Sequence, residues 1–262
     1  MTTVIALLIK KKLGHLQPTS MEKIVVDYFD QSRPAVLFFD VNETLLNLKP
    51  LKKSIDAILL EKDSSNLWFT TVLQYSLVLT VSGKYEQFID IGAAILTMLA
   101  RKRKLILNTE EARKALYPML FLEPHHDVLE GLTRFKKAGF RLAALTNSSL
   151  AACNVQMHNA GLSDFFECQL SVDTVAKYKP HSDVYRWASK EMNVFEGDCM
   201  LVATHAWDVA GAAWAGMQTA FIERTGNQLF PLALPPDIIA SDLHNLYDQI
   251  VNPVMKMELM QR

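Results

Sequence analysis

Four short apolar runs, separated by segments with helical periodicity, constrain the fold of this chain more than any other feature. The runs lie at residues 36–39, 142–145, 200–203 and 219–222. Apolar runs of this length are typical of strands that are buried on both faces. Strands that alternate with helices imply right-handed crossovers and a parallel sheet with helices on both sides. The sequence therefore predicts an α/β fold with a doubly wound, Rossmann-like parallel sheet.

The helical patterns between the runs also indicate how the chain is divided. Val128, Leu132 and Phe135 fall on one helical face, and the pattern ends at Gly139. The segment 51–117 holds only helix-length patterns, so we expect a helical cap inserted after the first strand. The expected core comprises residues 34–50 and 118–262, with a last helix at 242–250 followed by a loose tail. Residues 1–33 are expected to form an N-terminal extension.

Composition narrows the class of function. The formal net charge is −1 and the sequence pI is about 6.7, so no basic field would attract nucleic acid. Residues 64–83 carry no charge, but their many hydroxyl and amide side chains favour a buried helix over a membrane span. The three cysteines lack CxxC spacing, and we expect reduced thiols in a cytoplasmic protein. The expected partner is a small-molecule substrate, with neither nucleic acid nor membrane involved.

Polar residues follow the predicted strands at the edge where an open parallel sheet binds its ligands. Asp40 comes directly after the first run, and Lys179 precedes the helix that contains Val184. The second and third runs are followed by Thr146, Asn147, His205 and Asp208. Two carboxylates, a lysine and several hydroxyl and amide groups should therefore meet at one edge of the sheet.

The order and spacing of these residues resemble a known family. The combination consists of Asp40-x-x-x-Thr44-Leu45, Thr146-Asn147, Tyr178-Lys179-Pro180, Ala206-Trp207-Asp208 and Arg224-Thr225-Gly226-Asn227. It is similar to the haloacid dehalogenase superfamily, and in detail to its L-2-haloacid dehalogenase (type II) branch, over about residues 36–250. The resemblance implies an all-helical cap and the conversion of an (S)-2-haloacid and water to a 2-hydroxyacid and halide, without metal or other cofactor.

The same resemblance implies the catalytic roles. Asp40 would displace halide from C2 and form an ester that water then hydrolyses. Thr44 would hold the loop, and Lys179 would keep Asp40 ionised. Asp208 would orient Lys179 and the hydrolytic water. The alternatives for Asp40, Thr44 and Asp208 are caps or turn hydrogen bonds, and for Lys179 a solvated surface position.

Further residues are expected to contact the substrate. Thr146 and Asn147 offer hydrogen-bond donors to the substrate carboxylate or the halide, although Asn147 could instead cap the next helix. Tyr185 and Trp207 match a tyrosine and a halide-binding tryptophan of the dehalogenases. Ordinary core packing is the alternative for both aromatic residues.

Four positions depart from the family patterns. Asn42 stands where superfamily phosphatases place a general-acid aspartate, and the dehalogenases carry an aromatic residue there and glycine at Glu43. His205 aligns with an asparagine of the dehalogenases, and it could assist the water as a base or serve only as a structural hydrogen-bonding residue. Phe69 aligns with the cap arginine that receives halide and substrate charge, so a bulkier substrate or an altered pocket is expected. We therefore include Asn42, His205 and Phe69 among the predicted pocket residues.

Two other functions stay open at the level of sequence. A small-molecule phosphatase would need Mg²⁺, but neither Asn42 nor the Thr204-His205 pair supplies the expected acidic group. A non-catalytic binding protein would not need Asp40, Lys179 and Asp208 together. The sequence is compatible with a homodimer and does not fix the oligomeric state.

Overall fold

The computed structural model describes residues 33–251, and secondary-structure elements are numbered from the first one within that range. Most of the predicted N-terminal extension (residues 1–32) and the predicted tail beyond residue 251 lie outside the described residues. Within 33–251, no helix is both long enough and apolar enough to cross a membrane.

A parallel sheet forms the centre of the described chain. Its strands are β1 (Val36–Phe39), β2 (Arg141–Thr146), β3 (Cys168–Ser171), β4 (Cys199–Ala203), β5 (Gln218–Ile222) and β6 (Ile238–Ala240). Their order across the sheet is β3-β2-β1-β4-β5-β6, and each neighbouring pair is parallel. All four residues of β1 are inaccessible to solvent. The predicted α/β class with a doubly wound parallel sheet is confirmed.

The four apolar runs correspond to β1, β2, β4 and β5, whereas β3 and β6 were not predicted. Strand β3 has the sequence Cys-Gln-Leu-Ser and only its last two residues are buried, so it lacks the apolar signature of a central strand. Strand β6 is only three residues long and lies at the opposite edge. Edge strands need less burial than central ones, because one side of each is not covered by another strand.

Helices surround the sheet and also fill the segment after β1. Between β1 and β2 the chain forms α1 (Lys49–Leu59), α2 (Ser64–Val81), α3 (Phe88–Lys102), α4 (Thr109–Ala115) and α5 (Val128–Lys137). The later helices are α6 (Leu150–Asn159), α7 (Ser182–Glu191), α8 (Ala206–Trp214) and α9 (Leu243–Val251). Single 3₁₀ turns occupy Tyr117–Phe121, Ser163–Phe165, Val172–Thr174 and Glu196–Asp198. Helix α9 agrees with the last helix predicted from the sequence.

Helices α1 to α4 pack on one another in the segment for which a cap is predicted. Trp68 of α2 is buried, and its indole N–H donates to the carbonyl of Gly92 in α3 at 2.9 Å. The buried hydroxyls of Ser76 and Thr80 donate to carbonyls one turn earlier in α2. These hydrogen bonds satisfy the hydroxyl groups inside an uncharged helix, so the hydroxyls can be buried among the other cap helices. The division into cap and core itself stays a prediction.

Candidate active site

Asp40 begins the loop after β1 and is the centre of a buried polar cluster. Its backbone N–H donates to the carbonyl of Val202 at 3.0 Å, which extends the pairing of β1 with β4 by one residue. Oδ1 accepts a hydrogen bond from Lys179 Nζ at 2.9 Å, and Oδ2 accepts one from the Thr44 hydroxyl at 2.8 Å. Since both oxygens face cationic or hydroxyl donors across the site, the side chain does not cap a helix.

Lys179 bridges the two predicted catalytic carboxylates. Its ammonium lies 2.9 Å from Asp40 Oδ1 and 2.5 Å from Asp208 Oδ2, and it also donates to the carbonyl of Leu145. Its side chain is fully buried, whereas Lys177 pairs with the half-exposed Asp183 at the surface. The structure therefore brings Lys179, and not its neighbour, to Asp40.

Asp208 has both carboxylate oxygens engaged. Oδ2 meets Lys179, and Oδ1 accepts from the Tyr185 hydroxyl at 2.7 Å. Asp208 lies in the first turn of α8, whose N-cap is His205, and no side-chain capping hydrogen bond is present at this end of the described helix. Asp208 therefore does not have the alternative role of a helix cap. Tyr185 is completely buried and bonds to the site, not to solvent.

Close packing of α8 fixes the position of Lys179 and Tyr185. A Cβ atom added at Gly211 would lie 2.3 Å from Cβ of Pro180 and 2.8 Å from the Tyr185 hydroxyl oxygen. Only glycine leaves room for this contact. The approach brings the start of α7 against α8, and with it the lysine and tyrosine that hold Asp208.

The charges of this cluster determine its ionisation. Burial opposes the ionisation of Asp40, but the charges of Lys179 and His205 and their hydrogen bonds lower the pKa of Asp40 well below its usual value. Burial alone would lower the pKa of Lys179, yet Asp208 and Asp40 raise it above its usual value. Asp40 is therefore an anion and Lys179 a cation at neutral pH, which suits Asp40 to nucleophilic attack.

His205 lies between Asp40 and a second acid, Glu43. Nδ1 is 3.3 Å from Asp40 Oδ2, and Nε2 is 3.0 Å from Glu43 Oε2. Burial disfavours the charged ring, but hydrogen bonds and charges from both carboxylates raise the pKa of His205 to about 9. Glu43 has its pKa lowered to about 2, because the bonds from His205 and Lys52 outweigh burial.

Two aromatic side chains contact the imidazole of His205. The ring centroid of Phe69, from α2, lies 5.6 Å away, and that of Trp207 lies 5.2 Å away in a stacked arrangement. The structure thus brings Phe69 and Trp207 to the predicted pocket. Trp68, the neighbour of Phe69 in sequence, is buried against α3, and its ring centroid lies 6.4 Å from that of Phe69.

The loop after β2 contributes amide and hydroxyl groups. Asn147 Oδ1 accepts from the backbone N–H of Lys179 at 3.0 Å, while its buried Nδ2 has no hydrogen-bond partner among residues 33–251. The N-terminal cap of α6 is Ser149, so Asn147 does not have that role. The Thr146 hydroxyl accepts from the backbone N–H of Ser148 at 3.1 Å.

Asn42 lies in the same loop as Asp40, and both polar atoms of its side chain form hydrogen bonds within the protein. Its amide nitrogen donates to the Ser148 hydroxyl at 3.0 Å, and its oxygen accepts from Gln156 at 2.9 Å. These hydrogen bonds connect the Asp40 loop to the loop before α6 and to α6 itself.

Comparison with known proteins defines the family. The family model described as haloacid dehalogenase-like hydrolase matches residues 34–216. The chain belongs to this family. It is 31% identical over 176 residues to haloacetate dehalogenase H-2 of Moraxella sp. (strain B), covering 67% of this chain and 79% of that protein. It is also 31% identical to the (S)-2-haloacid dehalogenase of Pseudomonas sp. (strain YL), covering 67% and 76%.

Solved structures show the same fold. L-2-haloacid dehalogenase from Xanthobacter autotrophicus superposes with a TM-score of 0.77 at 20% identity, covering 84% of this chain and 99% of that one. The sequence-based recognition of a haloacid dehalogenase-like chain of the L-2-haloacid dehalogenase type is confirmed.

The site of this haloacid dehalogenase-like hydrolase does not suit Mg²⁺. A magnesium ion prefers octahedral coordination by oxygen atoms, usually from one or two carboxylates together with several waters. Here the groups against Asp40 are the cations Lys179 and His205, and Lys179 occupies the space between the two carboxylates. Within residues 33–251, no group of three or more His, Cys, Asp or Glu side chains is arranged to hold a metal ion.

Sequence reasoning missed two supports of the site. Glu43 was noted only as a departure from glycine, although it holds His205 and has a left-handed backbone with φ of +68°. Asp127 was not singled out, yet it pairs with Arg224 behind the Thr44 carbonyl. A signal for Glu43 was present, since a carboxylate three residues after Asp40 shares its loop. Nothing local in the sequence marks Asp127.

Proposed function

We propose that this chain hydrolyses the carbon–halogen bond of short 2-haloalkanoic acids through an ester on Asp40. The observation that carries the proposal is the state of Asp40, an anion held by Lys179 in a buried cluster that does not suit Mg²⁺. Halide leaves with its bonding electrons and needs no proton, so a site with two cations beside the nucleophile fits this reaction. The names of the two relatives, a haloacetate dehalogenase and an (S)-2-haloacid dehalogenase, support the same chemistry.

The first half of the proposed reaction is substitution at C2. Asp40 attacks C2 of the acid while Thr44 and Lys179 hold its two oxygens, so the carboxylate keeps one orientation. Inversion at C2 follows from displacement by Asp40 on the face opposite the halogen. Asp208 holds Lys179 in place through one carboxylate oxygen, and Tyr185 fixes Asp208 by donating to the other.

Substrate binding is assigned to the groups around this cluster. Asn147 Nδ2 is buried and has no hydrogen-bond partner in the described part of the chain, so it is suited to donate to the substrate carboxylate. Phe69 and Trp207 provide apolar contacts near His205, and Thr146 supports the loop that carries Asn147. Asn42 contributes by fixing the loop of Asp40.

The second half is hydrolysis of the ester. Water attacks Cγ of Asp40, so the oxygen of the water enters the carboxylate of Asp40. The hydroxyacid leaves with the oxygen that Asp40 supplied to the ester bond. A single turnover in H₂¹⁸O should therefore label Asp40, as seen by mass spectrometry of its peptide. Label found only in the product would indicate direct attack of water on C2 and would contradict the ester.

The test of the function is halide release from (S)-2-chloropropionate, (S)-2-bromopropionate and fluoroacetate, compared with release of phosphate from a phosphate ester in Mg²⁺. Asp40→Asn should abolish halide release with the fold intact, because an amide is a far weaker nucleophile. Asp198→Asn, which alters an exposed acid at the start of β4, is the matched control and should leave turnover unchanged. Phosphate release without any halide release would contradict the proposal.

A further inference from the structure

His205 joins the predicted nucleophile to a second carboxylate. Nδ1 faces Asp40 Oδ2 at 3.3 Å, and Nε2 faces Glu43 Oε2 at 3.0 Å. The side chain of His205 is only 6% exposed, so both contacts lie out of bulk water. One ring thus spans the distance between the reacting carboxylate and an acid with no role in the substitution step.

Glu43 contacts His205 through its carboxylate, and its backbone has a conformation that favours glycine. Its φ of +68° lies in the left-handed region, where a side chain is unfavourable. The carboxylate also accepts from Lys52 at 2.6 Å, so each of its oxygens has a cationic partner. Strained residues of this kind concentrate where a side chain has a function.

Formation of the ester would change the surroundings of His205 more than those of Asp208. Alkylation of Asp40 removes its negative charge and weakens the bond at Nδ1. In the structure Lys179 and Tyr185 occupy both oxygens of Asp208, whereas Nδ1 of His205 has Asp40 as its partner. The group released beside the ester carbon is therefore Nδ1 of His205.

We propose that His205 is the general base for hydrolysis of the Asp40 ester, and that Glu43 is the residue that positions it. This inference rests on the proposed function. Glu43 binds the Nε2–H group, so neutral His205 carries its proton on Nε2 and presents the lone pair of Nδ1 toward the ester. A base in that place takes a proton from the water that attacks Cγ of Asp40.

The proton balance closes over one turnover. When halide leaves with the bonding pair, the Nδ1 proton of His205 goes to solvent, and this is the one proton that the overall reaction releases. Nδ1 then takes a proton from the attacking water, whose hydroxide adds to Cγ. Collapse of the tetrahedral adduct breaks the bond to the substrate oxygen, and the new carboxyl proton passes to that oxygen. His205 ends protonated beside an ionised Asp40, as at the start.

The charges around His205 support this sequence of events. The groups that face it are Asp40 and Glu43, with Lys179 and Lys52 bonded to their other oxygens. Asp40 and Glu43 together raise the pKa of His205 to about 9, so the ring is protonated while Asp40 is ionised. Loss of the Asp40 charge lowers the pKa of His205, and the ring then becomes a base at the stage that needs one.

The first experiment measures the titration of His205 by NMR without substrate. Asp40→Asn gives the site a neutral residue in place of the anion, as the ester does. The midpoint of His205 should fall by about one to three pH units in Asp40→Asn. Glu167→Gln removes one carboxylate at the amino end of β3, where Glu167 pairs with Arg141 of β2, and it should not move the midpoint of His205. An unchanged midpoint in Asp40→Asn would overturn the inference.

The second experiment separates the two halves of the reaction with (S)-2-bromopropionate. In His205→Ala, which removes the imidazole without installing the asparagine of the dehalogenases, halide should appear in a burst equal to the enzyme concentration, and mass spectrometry should find the ester accumulated on Asp40. Hydrolysis of the ester should slow by about a hundredfold to ten-thousandfold. Hydrolysis of the ester at the wild-type rate in His205→Ala would overturn the assignment of the base.

Variants of Glu43 test its positioning role. Glu43→Gln should move the pH midpoint of ester hydrolysis to lower pH, because the acid that raises the pKa of His205 is lost. Glycine suits the left-handed backbone, so the free energy of unfolding of Glu43→Gly should be no lower than that of the wild type. The ester should nevertheless accumulate on Asp40 in this variant, because His205 is no longer positioned. A Glu43→Gly enzyme with a wild-type rate and midpoint would show that Glu43 does not position the base.

The two levels of proposal fail in different ways. If the wild-type protein releases no halide from any of the acids, the proposed function fails and the assignment of the base fails with it. If the wild-type protein releases halide and His205→Ala forms no ester in excess of the wild-type level, only the inference about His205 fails.

Discussion

Arg224 and Asp127 form a buried, two-pronged ion pair behind the loop that carries Asp40. The two hydrogen bonds between their side chains measure 2.8 and 3.1 Å, and neither side chain is more than 8% exposed. Arg224 also donates to the carbonyl of Thr44 at 3.0 and 3.2 Å. The pair therefore connects the end of β5 and the start of α5 to the residue that binds Asp40 Oδ2.

We expect Asp127→Ala to lower the free energy of unfolding by about 3–5 kcal/mol, because it leaves the Arg224 cation buried without its partner. Urea denaturation measures this change. The matched control is Glu167→Ala, which breaks the half-exposed pair with Arg141 and should cost under about 1 kcal/mol. Equal losses in the two variants would show that burial of the Asp127 pair has no special weight.

His205 should make stability depend on pH in a defined direction. Its pKa is raised from 6.5 to about 9 in the folded chain, so its contribution is complete below pH 6.5 and is lost as the pH rises through 9. The free energy of unfolding should fall by on the order of 3 kcal/mol across this window. Denaturation at pH 6.5 and pH 9 measures the difference. His205→Asn should remove most of it, and a pH-independent wild type would contradict the raised pKa.

Removal of metal should leave halide release unchanged. The donors around Asp40 are Lys179, His205 and Thr44, and none of them provides the oxygen-rich shell of Mg²⁺. Rates with (S)-2-chloropropionate should be the same in EDTA and in millimolar Mg²⁺. Strong activation by Mg²⁺ with a phosphate ester, and none of the haloacids turned over, would instead favour the phosphatase alternative.

Phe69→Arg tests whether a cation on α2 improves the handling of small haloacids. A charge-assisted contact contributes about 1.5–3 kcal/mol, equivalent to about tenfold to a hundredfold in kcat/KM. The new guanidinium would lie near His205, whose ring is now 5.6 Å from that of Phe69. Like charges repel, so the gain in kcat/KM for (S)-2-chloropropionate should be larger at pH 9.5 than at pH 7, and the pKa of His205 should fall.

The control for this prediction is Phe69→Leu, which removes the aromatic contact without adding charge and should not raise kcat/KM. A rise in both variants would attribute the effect to space in the pocket. If the wild-type protein already turns over small haloacids rapidly, the halide and carboxylate are stabilised by other groups, and the comparison of Phe69 with an arginine loses its meaning.

The sequence predicted the parts of this protein that follow from local patterns. Apolar runs identified β1, β2, β4 and β5, and polar residues at their ends placed Asp40, Asn147 and Asp208 at one edge, because the carboxyl ends of parallel strands meet there. Helical periodicity located α5 and α7. The apolar pattern could not identify β3, because its sequence Cys-Gln-Leu-Ser is half polar, or β6, because its apolar run is only three residues long.

Only the tertiary structure decided how the charged groups pair. The Lys179 ammonium meets both Asp40 and Asp208, 139 and 29 residues away in sequence, and His205 meets Glu43 across 162 residues. The strength of such contacts depends on distance and on exclusion of water, neither of which a single sequence records. Local patterns thus determined which side chains reach the edge of the sheet, and packing determined which of them share protons and charge.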